Sequence, residues 1–262
     1  MFSLSVIIPN YNNEKYIKQC IESVLAQTYQ IKEIIIFDDC STDNSKEILK
    51  YFQMLDDRIK VIFSSVNVGV STARDTAIRA TTSDYVCMLD ADDYFYDKNK
   101  LKNEMNVVEN TFRATGKKVI SFSQTIDTDD NGNPLHEPKH IKLSGNERFK
   151  IITRLYKNYM PRDYCFPKEA YIKSGGYTKE LSLFEDWELN LKLLELTNFV
   201  YSGGFGTAYR HKPGGLSSVN HKKQFVVKKF IISKFKISFS ERIVFEMVAI
   251  LAYIKNIIYD NK

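Results

Sequence analysis

Leu4-Ser5-Val6-Ile7-Ile8 is a short, almost unbroken apolar run that stops at Pro9-Asn10, the pattern of a strand buried on both faces. The period then changes. Ile17, Ile21, Val24 and Leu25 recur at i, i+4, i+7 and i+8, one face of a helix that Asn12 or Asn13 is placed to cap. A second apolar run, Ile34-Ile35-Ile36-Phe37, ends at Asp38-Asp39-Cys40-Ser41, and Ser41 or Thr42 is placed to cap a helix reaching about Leu55. Residues 58–63, 70–80 and 85–89 repeat the order strand, helix, strand. Apolar strands alternating with amphipathic helices predict an α/β fold with a mostly parallel sheet covered on both faces. Such sheets bind ligands beyond the carboxyl ends of their strands. Pro9-Asn10-Tyr11, Asp38-Asp39, Asn67 and Asp90-Ala91-Asp92-Asp93 are therefore expected to meet in one crevice.

Further along, the pattern predicts a helix over about 99–113, a strand over 119–122 and an exposed loop or hairpin over 127–138, where Asp, Asn, Gly and Pro cluster. Residues 184–196 read as a largely buried helix, with Trp187, Leu191 and Leu194 on one stripe and Leu189, Leu193 and Leu196 on the next. The C-terminal stretch is different again. Residues 222–236 alternate lysine pairs with Phe, Val and Ile, an imperfect amphipathic helix because Lys234 falls inside its apolar face and Lys228 at the edge. Ile243, Met247, Ile250, Ile254 and Ile257 follow with 4-3-4-3 spacing, a seam for another helix. That seam can close on the chain's own domain, on a second copy in a homodimer, or beside a membrane surface.

Composition narrows the picture. A chain of 262 residues with 44% hydrophobic content buries one sizeable core. The N-terminus enters strand-like sequence at once, and no apolar run reaches the ~18–20 residues of a spanning helix, so neither secretion nor a membrane span is expected. Cys20, Cys40, Cys87 and Cys165 are far apart with no CxxC pair, the usage of a cytoplasmic protein. The net charge of +5 is local: from Lys212 onward there are ten Lys and Arg against three Asp and Glu, and the first 211 residues hold 27 against 29. This near-neutral body with a basic tail is not a nucleic-acid footprint; the tail suits an anionic surface.

Three acidic features carry candidate chemistry. Asp90-x-Asp92 follows a buried strand; two carboxylates on one tight turn can hold a divalent cation and, through it, a diphosphate, and oxygen ligands favour Mg²⁺ or Mn²⁺ over zinc. The same spacing also occurs among solvated loop acids. Asp38-Asp39 either caps the next helix or offers a carboxylate to a base N–H or a ribose hydroxyl. Glu185-Asp186 either complements a helix dipole or places a general base. The Gly-containing stretch Asn67 to Arg74 matches neither phosphate-loop motif, and none occurs elsewhere in the chain. A dehalogenase-type phosphatase would carry its D-x-D on the first strand, and a nucleotidyltransferase would carry a Gly-rich loop near residue 10; neither is present.

Taken in order, Leu4-Ser5-Val6-Ile7-Ile8-Pro9-Asn10-Tyr11-Asn12, Ser23 to Thr28, Asp38-Asp39-Cys40-Ser41-Thr42-Asp43, Asn67-Val68-Gly69, Ala73-Arg74, Asp90-Ala91-Asp92-Asp93, Gly175-Gly176-Tyr177 and Glu185-Asp186-Trp187 resemble the inverting family 2 glycosyltransferases of bacterial surface glycans. The resemblance covers about residues 3–215. It implies a GT-A, Rossmann-like fold over 1–215, with a nucleotide-binding half to about 95 and an acceptor half over 96–215, followed by a basic helical appendage over 216–262. It further implies that Pro9 and Tyr11 cradle the base of a UDP-sugar, and that Asp39 or Asp38 reads the uracil edge. Asn67, Arg74 and Asp90 would lie along the nucleotide sugar, with Asp92 on Mn²⁺ or Mg²⁺. Asp186 would be the base, with Glu185 beside a glycan or lipid-linked saccharide acceptor.

His211 lies where many members place a late histidine near the metal or diphosphate; an exposed loop histidine is the plainer reading, as it is for His136, His140 and His221. Asp75 follows Arg74 where the family usually has Asn, which puts a negative charge near the sugar or a partner beside Arg74. The Gln-x-x-Arg-Trp signature of processive synthases is missing, which favours transfer of one sugar over polymerisation. The expected location is cytoplasmic, peripheral on the inner face of the bacterial membrane. The rival reading is a non-catalytic or hydrolytic sugar-nucleotide-binding protein of the same fold.

Overall fold

The computed structural model describes residues 1–137, 146–154, 162–181, 183–212 and 221–260. The first half alternates as its periodicity requires: β1 (Leu4–Asn10), α1 (Ile17–Leu25), β2 (Glu33–Asp38), α2 (Ser45–Leu55), β3 (Ile59–Phe63), α3 (Val70–Ala80), β4 (Tyr85–Met88) and the short β5 (Tyr94–Phe95). The second half runs α4 (Lys100–Thr115), β6 (Ile120–Thr128), α5 (Glu147–Thr153), β7 (Cys165–Pro167), α6 (Lys168–Lys173), α7 (Glu185–Leu194), β8 (Phe199–Arg210), α8 (His221–Ser233) and α9 (Phe239–Asp260).

One sheet holds the strands in the order β3-β2-β1-β4-β7-β6-β8-β5. The β3-β2-β1-β4 block is parallel throughout, β7 runs antiparallel to both neighbours, and β6 pairs parallel with β8. This is the mixed α/β sheet of a GT-A fold. Because side chains alternate across a strand, Val6, Ile8, Ile34, Ile36 and Cys87 pack with α1, α2 and α4 on one face. Ile7, Ile35, Val86 and Met88 pack on the other with α3, α6 and α7. Both faces are covered, which is why the strands read as unbroken apolar runs.

Two local expectations change. The helix caps are not the ones the spacing favours: α1 starts after Tyr16 and α2 after Asn44, neither with a side-chain cap bond. Ser41 is drawn instead to Asp38, and Asp43 accepts from the backbone of Glu14 and Ser45. The strand expected to stop at 122 continues to Thr128, since Thr125 to Thr128 pair with Thr207 to Arg210 of β8. The turn that follows is held by Asp129, which accepts from the amides of Asn131 and Asn133. The end of that loop and His140 lie outside the described residues.

Asp75 is not among the cleft-lining residues and does not pair with Arg74. It binds Arg79 at 2.9 Å and accepts the Tyr171 hydroxyl at 2.8 Å. Gly176 closes this triangle at φ +68°, where a methyl group would fall 2.8 Å from the Tyr171 ring and 2.9 Å from Asp75 Oδ1. The glycine of Gly175-Gly176-Tyr177 is thus required by close approach as well as by its backbone.

The C-terminal helices are built into the core. Ile231 and Ile232 of α8 and Phe245 and Ala249 of α9 are buried in the same cluster as Trp187, and the Phe245 and Trp187 rings stack at 5.7 Å. The 4-3-4 seam faces the other way: Ile243, Met247, Ile250 and Ile254 are exposed, with Leu251 beside them, and the side chain of Ile257 is outside the described set. The inward stripe of α9 is Glu241, Phe245 and Ala249, one helical face away. No helix among the described residues is long and apolar enough to cross a membrane.

Candidate active site

The carboxyl ends of β1, β2 and β4 open onto a cleft of about 390 Å³. Pro9, Tyr11, Asp39, Asn67, Arg74, Asp90 and Asp92, seven of the residues singled out above, line it together with Asn13 and Gly69.

Asp38 and Asp39 separate into two roles. Asp38 is fully buried and is not part of the lining; its Oδ1 accepts from Asn10 Nδ2 at 2.8 Å and from the Ser41 hydroxyl at 2.6 Å, tying β1 to the turn after β2. Asp39 faces the cleft, and its two oxygens accept the amides of Val68 at 2.7 Å and Gly69 at 2.9 Å. Those bonds fix the loop carrying Asn67, whose Nδ2 donates to the Asp39 carbonyl.

Arg74 joins two acidic features that lie far apart in sequence. Its guanidinium donates to Asp90 at 2.7 and 3.0 Å and to Glu185 at 2.9 Å. Burial by itself would raise the Asp90 carboxyl, but Arg74 and Arg162 outweigh it and hold the group at about 2. Glu185 shifts upward, through burial and then the neighbouring Asp186, with Arg74 opposing. Asp186 opens α7 and accepts the amide of Trp187 at 2.7 Å. Arg154 lies over Phe184 and Trp187 at 5.0 and 5.2 Å; desolvation shifts its guanidinium downward, with the Asp186 charge opposing.

The sequence profile of Glycosyl transferase family 2 matches residues 5–172. The chain belongs to glycosyltransferase family 2. It is 40% identical over 102 residues to the putative teichuronic acid biosynthesis glycosyltransferase TuaG of Bacillus subtilis, covering 39% of this chain and 40% of TuaG. It is 29% identical over 237 residues to the glycosyltransferase GlyA of Streptococcus pneumoniae, covering 82% of this chain and 32% of GlyA. The alignments therefore span well under half of these relatives. In fold the chain is similar to S. aureus TarS 1-349 in complex with UDP-GlcNAc, with a TM-score of 0.67, 20% identity, and coverage of 93% of this chain and 70% of that one. It is likewise similar to the mannosyltransferase PcManGT of Pyrobaculum calidifontis in complex with GDP-Man and Mn²⁺, with a TM-score of 0.66, 14% identity, and coverage of 94% and 68%.

In this family 2 member, three cations at the D-x-D turn carry no motif that marks them in the sequence. Arg162 donates to Asp90 at 2.7 Å and lies over the Tyr209 ring. Arg210 donates its backbone N–H to Asp93 and its Nε to the Asp92 carbonyl, both at 2.8 Å, so β8 clamps the turn. Lys212 pairs with Asp92 Oδ2 at 2.6 Å. Of the two places open to His211, beside the metal or exposed on the surface, the structure shows the exposed one. Its Nε2 pairs with Asp127 at 2.8 Å, its ring is half exposed, and it is not among the cleft-lining residues. Backbone alternation at the end of β8 sends consecutive side chains to opposite sides, so Lys212 meets Asp92 and His211 meets β6.

Oxygen ligands for a cation exist at the cleft. Asp92 Oδ2 and Asn13 Oδ1 already hold the Lys212 ammonium at 2.6 and 3.2 Å, so a hard cation fits this donor set. Among the described residues, the group of three His, Cys, Asp or Glu donors close enough to share one ion is Cys87, Glu104 and Cys165 in the core. There Lys100 is the resident cation, 2.8 Å from Glu104. A divalent ion at Asp92 would accordingly need substrate phosphates and water to complete its shell.

Proposed function

We propose that this protein transfers a single sugar from a UDP-sugar to a hydroxyl of a glycan or lipid-linked saccharide, with inversion at the anomeric carbon. The observation that carries the reading is the Arg74 bridge. One buried guanidinium holds Asp90, at the strand end lining the cleft, and Glu185, the neighbour of Asp186. Donor-side and acceptor-side acids are thereby tied to one another. The resemblance and the UDP-GlcNAc in TarS support UDP as the donor nucleotide.

Tyr11 and Pro9 form the wall for the base, and Asp39 offers its remaining lone pairs to the uracil edge. Asp92, aided by Asn13, would hold Mn²⁺ or Mg²⁺, which supplies Lewis-acid neutralisation of the leaving diphosphate. Asp186 takes the proton of the acceptor hydroxyl as its oxygen attacks the anomeric carbon from the face opposite the diphosphate. The bond from that carbon to the diphosphate oxygen breaks, and its electron pair leaves with UDP. Arg74 and Arg162 keep Asp90 ionised and fixed beside this charge.

Asp92→Ala is expected to remove the Mn²⁺-dependent part of UDP affinity in calorimetric titrations; equal affinity with and without Mn²⁺ in both proteins would refute the metal role. Release of UDP from a panel of UDP-sugars, followed with and without saccharide acceptors, separates transfer from hydrolysis or simple binding. A donor consumed at the same rate whether or not an acceptor is present would support the hydrolytic reading instead.

The surface of α8 supports an acceptor presented at a membrane. Lys222, Lys223, Val226 and Phe230 share its exposed side, a cationic face with apolar teeth that matches an anionic lipid surface. Truncating the tail would uncover the core around Phe245, so charge reversal is the cleaner experiment. Lys222→Glu with Lys223→Glu should lower sedimentation with phosphatidylglycerol vesicles by about tenfold or more at low salt. Wild-type binding that ignores vesicle charge would reject the docking.

A further inference from the structure

The two acids of Asp90-Ala91-Asp92 are neutralised differently. Asp90 is gripped by two guanidinium groups, the buried Arg74 and the partly buried Arg162. Asp92 is only partly buried, and its Oδ2 carries the Lys212 ammonium at 2.6 Å. That ammonium also donates to Asn13 Oδ1 at 3.2 Å and lies 5.5 Å from the centre of the Tyr16 ring. It occupies a small cation cage of carboxylate, amide oxygen and aromatic face. The cage borders the cleft, because Asp92 and Asn13 both line it.

The strand end that delivers Lys212 is anchored by Arg210. Arg210, two residues earlier, is fixed to the Asp93 carboxylate, the Asp92 carbonyl and Gln19 at 2.6–2.8 Å. The side chain itself is flexible and about a third exposed. A lysine can swing by several ångströms on its four-carbon stem without moving the strand.

We propose that Lys212 is a resident counter-cation of Asp92 which exchanges with the divalent ion, so that ammonium and metal exclude one another at this carboxylate. The inference rests on the reading of Asp92 as the metal ligand and adds what holds the acid before the ion arrives. Two cations in contact with the same carboxylate oxygen repel strongly, so metal entry requires the ammonium to leave Oδ2. Once released, it stays within reach of the cleft, where a diphosphate is its natural partner.

Titration of the full chain with Mn²⁺, without nucleotide and into the millimolar range, tests this by the loss of the free-ion electron paramagnetic resonance signal. Lys212→Met is expected to bind Mn²⁺ about tenfold more tightly than wild type, or better. Lys212→Arg should stay near wild type, and Asp92→Asn should abolish binding with or without the lysine. A second titration, with UDP and no metal, should show weaker binding in Lys212→Met than in wild type. If Lys212→Met binds Mn²⁺ no more tightly than wild type while Asp92→Asn still loses it, the exchange is refuted and the metal site stands. If no version binds Mn²⁺, the metal reading falls, and the exchange with it.

Discussion

Asp186→Asn should reduce sugar transfer by about 10²–10⁴-fold, the contribution typical of a positioned general base, with UDP affinity within about twofold of wild type. The substitution is unusually clean here. The amide oxygen of asparagine can still accept the Trp187 N–H that Asp186 Oδ1 accepts at 2.7 Å, so the first turn of α7 keeps its geometry while the proton acceptor disappears. The turn is also held from below: the Trp187 indole donates to the Ile151 carbonyl at 2.8 Å and stacks on Phe245. Initial rates and UDP titrations on the same preparation decide the matter; wild-type turnover in the variant would overturn the base assignment. Glu185→Gln should behave differently, because it removes the charge that pairs with Arg74 and leaves at most a neutral hydrogen bond, and it is expected to weaken donor and acceptor handling together.

Lys100→Met should cost the fold about 3–5 kcal/mol, read from urea unfolding midpoints with an unchanged slope. Lys100 and Glu104 are an ion pair at 2.8 Å with both side chains fully buried. The ammonium further donates to the Asp163 carbonyl and lies near Cys87 Sγ, while Glu104 accepts from Ser123 and from the Cys165 amide. Removing the cation leaves the buried Glu104 charge without its counter-ion, held only by the Ser123 hydroxyl and the Cys165 amide, and that uncompensated charge is the main cost. The double variant Lys100→Met with Glu104→Gln should lose much less than the sum of the two single variants, since the uncompensated charge is gone. A loss below about 1 kcal/mol in Lys100→Met would show that water reaches the pair. Gly206 belongs to the same packing unit, because a methyl group there would lie 2.6 Å from Lys100 Cγ.

Much of this was legible along the chain. The alternating periods located β1 to β4 and α1 to α3, and the polar residues at the strand ends do share one cleft. Local pattern also placed α4 and α7, although α7 ends at Leu194 and leaves Leu196 exposed. Other features have no signature in the local pattern. Lys100 and Glu104 are spaced i, i+4, the spacing of an exposed helix pair, and only the strands packed around α4 make it a core pair. Asp38 and Asp39 are adjacent and chemically identical, so which one sees the cleft depends on the pleat and the register of β2 against β1. Arg162 and Lys212 reach acids 72 and 120 positions away in the sequence, and no local period encodes such a pairing.

The tail shows the same division. The sequence by itself determined that two helices end the chain's pattern, that a 4-3-4 apolar stripe runs along the second, and that positive charge concentrates on and just after the first. Only the tertiary structure decided which face is buried. Phe245 and Ala249 pack against Trp187 and its neighbours, and the regular stripe is left outside. Periodicity reports that a helix has an apolar side, because side-chain direction repeats every 3.6 residues. It does not report what that side meets, because burial depends on the shape and chemistry of elements that are distant in sequence.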